Sequence, residues 1–175
     1  PYTAGHEVAV ARLATATATE LGVSDEDARV IGLAANIHDV GKMQVPAEIL
    51  SKPGKLSAAE MQLVREHARA GYDIIDSIGF PWPIADMILQ HHERMDGSGY
   101  PDGLHADDIV LGARIIAVAD VIEAMSSHRP YRPALGLDVA IEWVRDGRGL
   151  QFDAAVVDAC LRVLSRNPEV MSESA

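Results

Sequence analysis

The sequence predicts an all-α helical bundle of about seven or more helices. Three observations carry this. Hydrophobic residues make up 48% of the 175 residues and aromatics only 5%. Such a core is aliphatic and alanine-rich, which favours helices over strands. Apolar residues recur at helical spacing between marked starts and stops, and no segment shows the alternation of a half-buried strand. A chain of this length suits one domain and can bury about 70% of its unfolded surface.

The elements follow in order. The Ala/Thr-rich opening, with Val8, Leu13 and Leu21, reads as a helix ended by Gly22. Ser24 followed by Asp25, Glu26 and Asp27 is an N-terminal cap with acidic residues in the first turn. The helix it opens is expected to run to about Val40. A loop with Pro46, Pro53 and Gly54 comes next, and Ser57 with Glu60 forms a capping box. The helix beyond it carries Met61, Val64 and His67. A further helical stretch with Ile74, Ile75 and Ile78 stops near Gly79, and Phe80-Pro81-Trp82-Pro83 is a rigid connector. Ile84 to Glu93 is apolar at helical spacing and ends in His91-His92-Glu93. Residues 96–103 are turn-forming almost throughout. The apolar run from Leu111 to Met125 is interrupted by Asp120, and residues 129–133 form another loop. Two last helices are expected at about 137–146 and 153–166, the second capped by Asp153 and stopped by Asn167-Pro168. The tail 167–175 is expected to be disordered.

The net charge is −11. A surface this acidic is a poor general binder of nucleic acid or anionic membrane. An anionic substrate would need local cations. The one cysteine, Cys160, excludes an intrachain disulfide. Its neighbours Val156, Val157, Leu161 and Leu164 mark it as a buried apolar residue. A reducing compartment is therefore allowed, and the domain is expected to be cytoplasmic. No run reaches the roughly 20 apolar residues of a membrane span, so no membrane insertion is expected. Position 1 is Pro and no signal peptide is visible, so an upstream regulatory domain is expected to precede the sequence.

Three features carry chemistry. His38-Asp39 closes an apolar helix. A buried aspartate beside histidine needs a partner, and a divalent cation is the simplest. His91-His92 closes another apolar helix; neighbours point about 100° apart, so both reach one ion only near a frayed end. Asp120 lies between Ile115-Ile116-Ala117-Val118-Ala119 and Val121-Ile122. Aspartate is rarely buried unless paired. Each feature alone also has a structural explanation: a helix-end contact, a polar terminus, a buried hydrogen bond to the backbone. With His6 and His67 they make five histidines and two aspartates on five helices facing a common interior. Such ligands suit Fe, Mn, Zn or Ni, and a bridging carboxylate suits two metals.

The order of these residues resembles the HD superfamily of metal-dependent phosphohydrolases. Residues 38–42, HDVGK, resemble its HDxGK motif, and residues 91–101, HHERMDGSGYP, resemble HHExxDGxGYP. Together they resemble the HD-GYP domain, a bacterial signal-transduction class that hydrolyses cyclic di-GMP. Val45-Pro46, Lys52-Pro53-Gly54, Asp120 and Arg129-Pro130-Tyr131-Arg132 match further, and the resemblance spans about residues 6–155.

The resemblance implies a catalytic domain over residues 1–166 and two divalent metal ions, Fe or Mn foremost, with Ni or Zn as alternatives. Asp39 would bridge them. His6, His38 and Asp120 would complete one site, and His67, His91 and His92 the other. Lys42, Arg129 and Arg132 would meet the substrate's phosphates or guanine, beside Gly99 and Tyr100. Some members carry a glutamate four residues before the first histidine, ligating a third metal. Tyr2 stands there, which implies two metals rather than three. Glu123 stands where aspartate is common. The implied partners are cyclic di-GMP, cut to pGpG and/or GMP, and other signalling domains or GGDEF-type proteins meeting the GYP loop. Alternatives are hydrolysis of another cyclic dinucleotide or nucleotide, or a non-catalytic sensor.

Overall fold

The structure is a computed structural model that describes residues 2–127 and 134–172. Among these the fold is all helical. The helices are α1 (Tyr2–Leu21), α2 (Asp25–Ile37), α3 (Ala47–Leu50), α4 (Ala58–Arg65), α5 (His67–Asp76), α6 (Ile84–Gln90), α7 (Leu111–Ser126), α8 (Leu137–Asp146) and α9 (Ala154–Arg166). Short 3-10 helices occupy Val40–Gln44 and Ala106–Asp108. Extended pairing among the described residues is limited to isolated bridges, Asp96 with His105 and Arg148 with Phe152.

Several starts are set by side chains that sequence reading identifies. The Ser24 hydroxyl accepts the Asp27 N–H at 3.0 Å. Ser57 and Glu60 exchange the reciprocal bonds of a capping box. Asp153 accepts the N–H groups of Ala155 and Val156. These bonds satisfy donors that the first helical turn leaves open.

α7 is the axis of the fold and packs against α1, α2, α6, α8 and α9. Its Ile115, Ile116, Ala117, Val118, Ala119 and Ile122 are buried. Around them lie Val10, Leu13, Ile31, Ile84, Ile88, Val144 and Val156, in one continuous core. The core is aliphatic, as the composition requires, and Cys160 is wholly buried in it. α1 and α9 lie side by side, where Glu20 meets Arg162 and Arg166. These ion pairs lie at the surface and contribute little.

Four details differ from the sequence expectation. α2 ends at Ile37 rather than near Val40, because the chain turns at Asp39 into the 3-10 helix. A short helix, α3, occupies part of the expected loop. α4 stops at Arg65, and His67 opens a new helix instead of ending the old one. Residues 167–172 are not a free tail: Val170 and Met171 pack against the core, and Arg12 donates to the Ser172 carbonyl. Apolar side chains so close to the end of α9 are better covered than solvated.

Candidate metal centre

Five segments converge at the ends of α2 and α6, beside α1, α5 and α7. His6 comes from α1, His38 and Asp39 follow α2, His67 opens α5, His91 and His92 follow α6, and Asp120 lies on α7. His91 and His92 sit where the helix has ended, so adjacent side chains can turn toward the same region. Gly41 makes the convergence possible. A Cβ there would lie 1.9 Å from the His67 carbonyl oxygen, so only glycine lets the turn after Asp39 press against the start of α5.

The rings are oriented by the main chain. His38 Nδ1 bonds the Ala35 carbonyl at 2.7 Å, His67 Nδ1 the Val64 carbonyl at 2.6 Å, and His91 Nδ1 the Ile88 carbonyl. A carbonyl only accepts, so Nδ1 donates and the neutral ring offers its Nε2 lone pair. His6 is held differently, by the Glu123 carboxylate at Nδ1. Its Nε2 then lies 3.2 Å from Asp120 Oδ1. Partners of this kind fix the ring orientation of metal-ligating histidines.

The donor atoms form two separate triads, His6-His38-Asp120 and His67-His91-His92, and a third group, His38-Asp39-His91, that overlaps both, each with ligand atoms within 4.8 Å of one another. Asp39 stands between the two separate triads, only 7% exposed. Its Oδ2 is 3.7 Å from His38 Nε2 and its Oδ1 is 3.4 Å from His67 Nε2. One oxygen faces each triad. Oδ1 is buried and accepts no hydrogen bond among the described residues. The Nε2 atoms of His67 and His91 face each other at 3.4 Å. Buried lone pairs gathered without a proton between them are unfavourable unless a cation joins them. The residues therefore fit divalent metal ions, as their imidazole and carboxylate chemistry requires.

Electrostatics agree. Burial, then neighbouring His38 and His67, pushes the His91 imidazole down to about 3. His67 and His92 are also lowered, chiefly by burial, so these rings stay neutral. Burial opposes charge on Asp39, but His38 and Lys42 prevail and hold its carboxyl at about 2. Burial would lower His6 too, yet hydrogen bonds to Asp120 and Glu123 raise it to about 9. That position favours positive charge, whether a proton or a metal.

The other expected residues are placed as follows. Lys42 donates to Asp39 Oδ2 from a partly exposed position beside the cluster. Tyr100 stacks on His92 at 4.7 Å between ring centroids and lies under the Arg65 guanidinium. Gly99 is packed against backbone, where a Cβ would lie 2.4 Å from the Glu93 Cα. Arg129 and Arg132 lie outside the described residues. Sequence reasoning passed over Glu93. Its buried carboxylate accepts the N–H groups of Asp102 at 2.7 Å, Gly103 at 3.1 Å and Leu104 at 3.0 Å. It thereby ties the loop of residues 96–104 to the histidine pair. The available signal was its place directly after His92.

Comparison with known proteins agrees with this geometry. The family model described as HD domain matches residues 1–156. A cyclic di-GMP phosphodiesterase response regulator, RpfG, of Xanthomonas campestris is 45% identical over 87% of this chain and 41% of its own. A cyclic di-GMP phosphodiesterase of Pseudomonas aeruginosa is 42% identical over 95% of this chain and 40% of its own. A 3'3'-cGAMP-specific phosphodiesterase of Vibrio cholerae is 38% identical over 97% of this chain and 37% of its own. The chain thus spans about two fifths of the length of these relatives. An HDG"Y"P protein from Bdellovibrio bacteriovorus has a similar fold, with a TM-score of 0.75 and 21% identity over 93% of this chain and 52% of that one. The chain belongs to the HD domain family.

Proposed function

We propose that this chain is the catalytic domain of a phosphodiesterase that hydrolyses cyclic di-GMP with two divalent metal ions, Fe or Mn. The observation that carries the reading is Asp39, with one carboxylate oxygen toward each donor triad. His6, His38 and Asp120 would hold one ion, and His67, His91 and His92 the other. When bound, such ions stabilise charge on a phosphodiester and lower the pKa of water.

The protein's own residues supply the setting. The neutral imidazoles of His67, His91 and His92 present lone pairs without a proton to displace, His6 must release its proton to bind, and Asp39 stays ionised between the two sites. Lys42, Arg65 and Arg94 bring positive charge to a molecule whose net charge is −11. They counter the repulsion an anionic substrate meets at long range. Hydrolysis adds water across one P–O3′ bond and leaves a linear dinucleotide with a 5′-phosphate and a free 3′-hydroxyl. The complete ligand set speaks against a non-catalytic sensor.

One observation favours a second reading. A relative 38% identical over nearly the whole chain is named for 3'3'-cGAMP. The deciding experiment is metal content of the purified protein, measured together with turnover of cyclic di-GMP, 3'3'-cGAMP and cyclic di-AMP. We expect about two ions per chain and fastest turnover of cyclic di-GMP. Faster cleavage of another dinucleotide would overturn the substrate, and metal-free protein under reducing, metal-replete conditions would overturn the mechanism. On the same reading the domain works in the cytoplasm, joined to regulatory or GGDEF-type signalling partners. Among the described residues no helix is long and apolar enough to cross a membrane.

A further inference from the structure

A pocket of about 280 Å³ opens directly beside the histidine cluster. His92 and Tyr100 line it, and Arg94, Trp143 and Gln151 are among its other lining residues. The volume falls at the lower edge for small-molecule sites, so it suits a fragment such as one nucleobase rather than a whole dinucleotide. Trp143 lies on α8, outside the motif residues, and is 57% exposed. A half-exposed indole on a pocket wall offers a flat face on which a base can stack.

Arg94 lies above the Phe152 ring at 5.1 Å. Its Nη1 donates to the Glu93 carbonyl at 2.8 Å, which fixes the guanidinium in place. Nη1 also reaches the His91 carbonyl at 3.5 Å, whereas Nε and Nη2 make no such bond among the described residues and remain for a ligand. A guanidinium matches the paired acceptors O6 and N7 of guanine, whereas adenine puts an N6 donor at the same edge. Gln151 can donate and accept and does not discriminate.

Resting on the reading of this chain as a cyclic-dinucleotide phosphodiesterase, we propose that this pocket seats one guanine base. Trp143 supplies the stacking face and Arg94 the contact that prefers guanine to adenine. Neither residue need touch the reacting phosphate. Their effect falls on substrate binding and base choice.

The test uses metal-loaded protein. Trp82 and Trp143 are its two tryptophans, so Trp82→Phe leaves Trp143 as the sole indole. Titration with GMP is expected to change Trp143 fluorescence saturably, with AMP needing about tenfold more, a typical margin for one good base contact. Trp143→Ala should raise KM for cyclic di-GMP about tenfold, with kcat changed less than about threefold, as expected for a lost stack. Trp143→Phe, which keeps an aromatic face, should recover most of that affinity. Arg94→Gln with unchanged metal content and circular dichroism should bring GMP and AMP toward parity. The subsite is overturned if GMP inhibits turnover yet leaves Trp143 fluorescence unchanged, or if Trp143→Ala leaves KM where it was. Failure of the wild-type protein to cleave any cyclic dinucleotide would sink the functional reading instead, and the GMP titration would still judge the pocket.

Discussion

Replacing Asp39 with alanine removes the carboxylate that stands between the two donor triads. On the proposed two-metal reading, the bridge and its charge would disappear together. Turnover is expected to fall by at least about 10³-fold, since a lost metal bridge removes several kcal/mol of charge stabilisation. Metal content should drop below one ion per chain. Steady-state kinetics and elemental analysis on the same preparation check both, and retained activity would refute the assignment. Glu93→Gln makes a different statement. One amide oxygen cannot replace two carboxylate oxygens accepting three N–H groups. The expected result is faster amide exchange at residues 102–104 and a higher KM, with both metals retained. Loss of the metals would show that Glu93 supports the ligands rather than the loop. Asp120 was legible because a lone carboxylate in an apolar run has few explanations. Glu93 was not, because its partners lie nine to eleven residues away on a loop whose path no local pattern reveals.

At the scale of elements, the caps were the most legible features. Ser24, Ser57 and Asp153 each make the bond their position in the sequence implies, because capping is a local interaction. Ser57→Ala should therefore cost about 1 kcal/mol, read from the urea midpoint at unchanged slope. An unchanged midpoint would mean that α4 is held by packing alone. The breaks were harder to read. The end of α2 at Ile37 and the fresh start at His67 depend on Gly41 meeting the His67 carbonyl, a contact across 26 residues of sequence. Local propensity favours continued helix through Arg65-Glu66-His67-Ala68, whereas His38-Asp39-Val40-Gly41 is weakly helix-forming. Tertiary approach interrupts the helix at both places, and three of the candidate ligands, His38, Asp39 and His67, sit at those interruptions.

The described residues form a helical core with its polar cluster beside the interior of α7 at Asp120. Composition and periodicity were enough for the class, because an aliphatic, alanine-rich chain without alternation has few other ways to bury itself. They could not place the cluster, whose seven candidate ligands are drawn from positions 6 to 120. Such a site should tie metal content to global stability. An ion at about 100 times its Kd adds about 2.7 kcal/mol. Chelation should then lower the melting temperature by about 5–10 °C for a chain of this size. Differential scanning calorimetry with and without chelator checks this, and identical transitions would mean that the cluster binds no ion of consequence.

The main-chain anchoring of His38, His67 and His91 has one more consequence. Each imidazole takes its bearing from a carbonyl three residues back, on its own turn of chain. Those carbonyls do not depend on what the opposite nitrogen touches. The three rings would be held in place before any ion is bound and after it is removed. Different divalent ions can then succeed one another without refolding. The metal found in the protein would record the supply it last encountered rather than a choice written into the fold.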